Sequence, residues 1–148
     1  MKLDIDIEEL FDLKKIKFDF SRTLNDFAKS VVKDHKRRLQ FGQGVNMKPM
    51  KKLQPSTIKS KRIKNYKNPR VPLNATSTMS KIKFKQKATK SNQTAFLKPA
   101  DSRDEIGAYH QEGGARLPKR EWFGITVKQE QKGIKLMEQR IEKELKSA

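Results

Sequence analysis

Two imidazoles, His35 and His110, are the side chains best suited to move a proton near neutral pH, and they stand 75 positions apart. A metal centre of common type needs three or four His, Cys, Asp or Glu ligands. The chain has no Cys, and from His35 through Ala100 it has no carboxylate. Paired acids for general acid–base work are therefore missing from the middle of the sequence. Gly42-Gln43-Gly44 lacks the Gly-Lys-Ser/Thr that would grip phosphate and metal. No Ser sits on a glycine-flanked elbow. These residues argue against an enzyme, and neither metal nor cofactor is expected. His110 reads as a structural or interface histidine.

What remains is charge. Lys48, Lys51, Lys52, Lys59, Lys61, Arg62, Lys64 and Arg70 crowd one stretch, with Tyr66 among them. Such a block can neutralise phosphates and release their counterions, and the tyrosine can stack on a base. It can equally meet the acidic face of another protein. Lys strongly outnumbers Arg here, and Arg is the usual tool of base-edge readout, so sequence-specific recognition is disfavoured. The residues favour protein contact over non-specific nucleic-acid contact.

The whole chain of 148 residues carries 35 Lys plus Arg against 17 Asp plus Glu, a net +18. Residues 1–20 are net −2, 21–42 net +4, 43–98 net +15 and 99–148 net +1. A surface of one sign raises the energy of the compact state, so residues 43–98 point to an external source of negative charge. Hydrophobic residues make up 34% of the chain. With Gly added the share is about 39%, below the ~45–50% of an ordinary domain, so the core should be thin. No apolar run suits a membrane span or the hydrophobic part of a signal peptide. The absence of Cys fits a reducing cytosol or an assembly built there.

Elements that would carry these residues follow from periodicity. Leu3, Ile5 and Ile7 alternate with Lys2, Asp4 and Asp6, as in a short strand or an extended N-terminal arm over 1–20. Ser21 is placed to cap a helix running to about residue 41. Its stripe is Leu24, Phe27, Ala28, Val31, Val32 and Leu39, with Lys36, Arg37 and Arg38 near its end and Gly42 as its stop. Residues 43–78 read as an extended basic loop, interrupted by Pro49, Pro55, Pro69 and Pro72, in which only 56–62 suits a helical turn or two. Met79, Ile82 and Phe84 suit a half-buried strand, Ser91-Asn92 a hairpin turn, and 94–98 the returning strand. Ser102 and Glu105 resemble a capping box opening a short helix to Gln111, ended by Gly113-Gly114. A third strand is expected over 121–127. A final helix over 128–146 would present Ile134, Met137, Ile141 and Leu145. The expected architecture is α+β: an antiparallel sheet of three to four strands against an N-terminal and a C-terminal helix, in one domain over 21–148.

Tyr109-His110-Gln111-Glu112-Gly113-Gly114, followed by Pro118-Lys119-Arg120-Glu121-Trp122-Phe123-Gly124-Ile125, resembles the Mu-type virion-morphogenesis, or tail-completion, family of tailed phages. Members carry an aromatic residue or Ile, then His-Gln-x-Gly-Gly, then Pro-x-Arg-x-Phe-Leu-Gly. Asn46-Met47-Lys48-Pro49-Met50-Lys51-Lys52-Leu53 with Thr57 and Lys61 is similar to the family's Asp-Gly-x-Pro-Trp-x-Pro-Leu…Thr…Lys segment. Pro72-Leu73 with Thr76 and Met79 is similar to its Pro-Leu-x-x-Thr-Gly-x-Leu stretch. The likeness covers about residues 21–146. Met47, Met50, Lys52, Ser77 and the Trp122-Phe123 pair replace the family's Gly, Trp, second Pro, Gly and Phe-Leu.

The resemblance implies a structural virion protein of the phage neck, assembled in the host cytoplasm. It would form a homo-oligomeric ring, a hexamer or a dodecamer, that completes the tail or joins it to the head. Its neighbours would be neck, connector or tail-tube proteins, with double-stranded DNA in the channel and no membrane. Six copies would carry +108, so closure needs acidic neighbours or DNA. Tyr109, His110, Gln111, Gly113, Gly114, Pro118, Arg120, Trp122, Phe123 and Gly124 are then the expected local scaffold or subunit edge. At least one of Arg120, Trp122 and Phe123 is expected to meet another subunit. The basic residues of 43–78 would contact an adjacent ring or DNA. The rival reading from charge alone is a small basic, non-specific nucleic-acid-binding protein.

Overall fold

Helix α1 (Ser21–Gln40) buries Ala28, Val31, His35, Arg38 and Leu39, positions spaced three and four apart that form one face. The computed structural model that defines it describes residues 18–74, 76, 78–99, 104–114 and 116–147. The alternation at Leu3, Ile5 and Ile7 and the proposed cap at Ser102 lie outside the described residues. Ser21 is not the cap of α1. Phe20 holds that position, and the Ser21 amide donates to Asp19 Oδ1 at 2.9 Å. At the other end the Gln43 amide donates to the Arg38 carbonyl at 2.9 Å and the Gly42 amide to Leu39 at 3.2 Å. This is the paired closure that stops a helix at a glycine.

Residues 43–78 are more structured than an extended loop. The chain turns back at once, with the Gly44 amide on the Lys48 carbonyl and the Met50 amide on Gly42, which places Met50 in the core. Helix α2 (Pro55–Ile63) follows, with proline in its first turn, where the missing N–H costs nothing. None of its side chains is buried, and Ile63 is 72% exposed. The return is pinned by buried Pro72 and Asn74.

After a 3-10 turn (Thr78–Ser80), β1 (Ile82–Gln86) and β2 (Phe96–Pro99) pair antiparallel, Ile82 opposite Pro99 and Phe84 opposite Leu97, with an irregularity between Phe84 and Gln86. The connection over 87–95 is longer than a tight turn at Ser91-Asn92 would make it. Asn25 of α1 exchanges two 2.9 Å bonds with the backbone of Ala88 just beyond β1. Helices α3 (Asp104–Glu112) and α4 (Val127–Ser147) complete the order.

The expectation of three to four strands is wrong: the described residues form a two-stranded sheet. Residues 121–127 are not a strand. The amides of Trp122 and Phe123 bond to the Gln111 side chain, at 3.0 and 3.2 Å, rather than to a neighbouring strand. Gly124, at φ 153°, then takes the chain out of extended geometry before α4. Thr126 and Gln129 form a capping box at that point, each amide bonded to the other's side chain. Gln129 also donates to Asp34 at 2.9 Å, tying α4 to α1. On α4 Met137 and Ile141 are half-buried, whereas Ile134 and Leu145 are exposed.

Leu39, Met50, Met79 and Trp122 form the core cluster, with Leu73 and Phe123 against it. Polar groups share this interior: His35 and Arg38 are each 1% exposed and Arg120 is 5%. The thin core expected from composition is thus filled out with polar side chains. No helix among the described residues is long and apolar enough to cross a membrane.

Candidate functional site

The segment from Gly107 to Gly124 closes on itself through one side chain. Gln111, in the last turn of α3, accepts the amides of Trp122 and Phe123 with Oε1, and its Nε2 donates to the Phe123 carbonyl at 3.2 Å. A glutamine has both an acceptor and a donor in one planar group, so it can hold an extended segment as a strand edge would. The Trp122 indole N–H donates to the Gly107 carbonyl at 2.8 Å. A methyl group on Gly107 would stand 2.4 Å from Trp122 Cζ2, so the indole lies directly on the helix backbone. Gly113, at φ 77°, ends α3, and a Cβ there would meet the Lys119 amide nitrogen at 2.8 Å. The Arg120 amide then bonds to the His110 carbonyl at 2.7 Å, and Gly114 and Leu117 exchange backbone bonds. Glycines, glutamine and tryptophan each answer a specific geometric need of one crossing.

His35 packs on this unit from α1, its ring 5.5 Å from Trp122 and 6.0 Å from Phe123. Its Nε2 donates to the Met79 carbonyl at 3.2 Å, while Nδ1 is buried without a partner. Burial pushes its pKa down to about 4, with Arg38 pushing the same way. Arg38 donates to the Gly124 carbonyl at 3.3 Å and lies 3.8 Å from Asp34. Arg38 is one of the three cations near the end of α1, and unlike Lys36 and Arg37 it is buried. Its spacing from Val31 and His35 was the signal that it belongs to the buried face. His110 is half-buried, and its pKa is lowered by burial and by Arg120.

Arg120 joins the two groups of residues that the sequence singled out. Its Nε donates to the Lys51 carbonyl at 3.2 Å. It also lies near enough to Lys61 to reinforce the lowering that burial imposes on that amine. Lys61 donates to the Val71 carbonyl at 3.0 Å and is a structural residue of the 55–71 bend. Lys48, Lys51, Lys52, Lys59, Arg62, Lys64 and Arg70 are exposed. Trp122 and Arg120 are buried within the chain itself, so their side chains are directed to its own interior. Beside them Tyr109, Gly114 and Pro118 form the outer side of the segment, with Tyr109 57% exposed and Pro118 half-buried.

No family model, curated protein or solved structure matches the chain. The arrangement itself is that of a rigid crossing and a cationic projection fastened together at Arg120. Among the described residues no three His, Asp or Glu side chains are placed to hold a metal ion together. A shallow apolar cleft of about 210 Å³ lies over Gly107, Gln111, Trp122 and Phe123.

Proposed function

We propose that this chain is a structural subunit of a tailed-phage neck, forming a ring that completes the tail or joins it to the head around the DNA channel. One observation carries the reading. The residues of the His-Gln-x-Gly-Gly and Pro-x-Arg-x-Trp-Phe-Gly segments, on which the resemblance to the tail-completion family rests, form one hydrogen-bonded unit. Two further features support an assembly role. Helix α2 buries no side chain fully, only Ile58 and Lys61 being half-buried, and a nine-residue helix with so small a packed face gains little stability alone. Polar groups occupy much of the interior, which suits a subunit whose remaining stability comes from binding neighbours in its folded form.

In this reading the 107–124 crossing fixes the subunit's shape, and the exposed cations of 48–70 meet an adjacent ring. Mass spectrometry of purified virions, with antibody labelling of this chain seen by electron microscopy, tests it. The chain is expected at the head–tail junction in a small fixed copy number. Absence from mature particles would refute it. The exposed cations also favour a second reading, non-specific nucleic-acid binding. Tight binding of duplex DNA at physiological salt, with a steep loss as salt rises, would support that alternative.

A further inference from the structure

The sheet's open side carries a pattern that the chain itself can complete. In β1 and its flank Lys81, Lys83 and Lys85 alternate with Ile82, Phe84 and Gln86, and all three lysines are exposed, while beyond the irregularity Lys87 sets its ammonium over the Phe84 ring at 5.9 Å. Ile82 is buried and Phe84 half-buried. No described strand pairs with the outer edge of β1, and a two-stranded sheet is marginal in water. Beside the start of β1 runs a groove of about 420 Å³, lined by Val32, Lys36, Ser80, Lys81 and Ile82. It has an apolar floor and cationic sides.

Residues 3–8, Leu-Asp-Ile-Asp-Ile-Glu, are the complement at the same period of two: Leu3, Ile5 and Ile7 against Asp4, Asp6 and Glu8. Laid on the edge of β1, one face sets carboxylates beside the lysine row and the other sets apolar side chains beside Ile82 and Phe84. Opposite charges across a strand pair stabilise it, and edge addition supplies main-chain hydrogen bonds. We propose that residues 3–8 of one copy add as a strand to the β1 edge of the next copy. This rests on the ring reading above.

Two observations favour delivery between copies. Phe18 and Phe20 are held to Gln93 in the β1–β2 connection, through bonds of 2.6 and 2.8 Å, so the segment departs from the hairpin. The nine residues 9–17 reach up to about 30 Å, which suffices to cross to a neighbour. Copies of net +18 repel, and residues 1–20 are the net negative part of the chain. Seating them on a neighbour's lysines turns repulsion into attraction.

The chain has no Cys, so engineered pairs report cleanly. Full-length Asp6→Cys protein is mixed with full-length Lys81→Cys, Lys83→Cys or Lys85→Cys protein and mildly oxidised. A disulfide-linked dimer of the two variants is expected at one of the three positions. Replacing Asp4, Asp6 and Glu8 by Lys should raise the concentration needed for assembly tenfold or more, and Lys81→Glu, Lys83→Glu and Lys85→Glu in the same chain should restore it. No crosslink at any position overturns the proposal. In a double variant carrying Asp6→Cys with Lys81→Cys, Lys83→Cys or Lys85→Cys, a crosslink formed only within one chain also overturns it, because that places the strand on its own sheet. Crosslinking between copies of a chain absent from virions would instead refute the neck reading and leave the strand exchange standing.

Discussion

Gln111→Ala removes the group on which the 107–124 crossing depends. Three hydrogen bonds vanish, two from the Trp122 and Phe123 amides and one to the Phe123 carbonyl. Each is worth about 1 kcal/mol net, and a buried amide left without a partner costs about 1–3 kcal/mol. These bonds are part-buried, so water re-solvates some of the loss and the expected cost is about 2–4 kcal/mol. For a chain of this size that lowers Tm by about 5–15 °C. Gln111→Glu separates acceptor from donor. Its carboxylate still accepts both amides, with some gain from charge, but it faces the Phe123 carbonyl without a proton. Its cost should be less than half that of alanine near neutral pH. Trp122 is the sole tryptophan, so its fluorescence follows unfolding by urea and reports a red shift if the indole loosens. An alanine cost below about 1 kcal/mol, or a glutamate variant worse than alanine, would refute the clamp.

Acid should destabilise the fold through His35. Its pKa is about 4 when folded against the ordinary 6.5 of a free imidazole, so the unfolded chain binds the proton more tightly. Stability is full above pH 6.5 and falls as pH drops toward 4, by about 3 kcal/mol in all, and His110 acts in the same direction. Urea unfolding across this range should flatten in His35→Gln. Gly107→Ala should destabilise by about 1–3 kcal/mol, because the indole is bonded to that same residue and cannot retreat, although Gly→Ala in an unobstructed helix stabilises it. A raised Tm would overturn that packing. Arg120→Ala should cost about 2 kcal/mol by thermal unfolding and loosen the 48–52 segment in hydrogen exchange, since the Lys51 carbonyl loses its donor. Lys59→Ala with Arg62→Ala should leave stability within about 0.5 kcal/mol and, under the proposed ring reading, weaken assembly with the adjacent ring.

Periodicity made most of the helices legible, whereas Ser21, expected to cap α1, is its first residue. Stripe spacing marks α1, the turn expected over 56–62 marks α2 with Pro55 inside its first turn rather than before it, and Gly113 marks the end of α3. What composition hid was the placement of polar residues inside. His35 and Arg38 continue the spacing of Ala28 and Val31, yet their chemistry reads as surface, and a buried guanidinium is explained only by the carbonyl of Gly124 and by Asp34. The missing third strand has a similar cause. Trp122 and Phe123 do not alternate, since both rings pack against His35, and a side chain 11 and 12 residues back fills the role of a neighbouring strand. No local pattern encodes that substitution. The Thr126–Gln129 box was readable as a helix start, and it places α4 one residue earlier than its apolar stripe suggests.

The charge of this chain divides into two populations with different physics. Arg38 and Arg120 are buried and meet backbone carbonyls of distant segments, so they hold the crossing to α1 and to the 48–52 turn. Removing either leaves carbonyls unpaired inside the subunit, and the loss is felt in folding. The exposed cations of 48–70 and the lysine row of β1 mostly face water, where at physiological salt their mutual repulsion is screened beyond about 8 Å. Within one copy that repulsion is tolerable. Between copies it becomes decisive, because approach brings like charges inside the screening length and displaces the ions that softened them. Folding should therefore depend weakly on ionic strength and assembly strongly. Added salt should promote association where bare repulsion dominates and dissolve it where acidic strands bridge the lysines. Measuring oligomer mass against salt in the full chain and in a chain lacking residues 2–8 separates these regimes. Opposite slopes are expected, and parallel slopes would show that the acidic segment has no part in holding copies together.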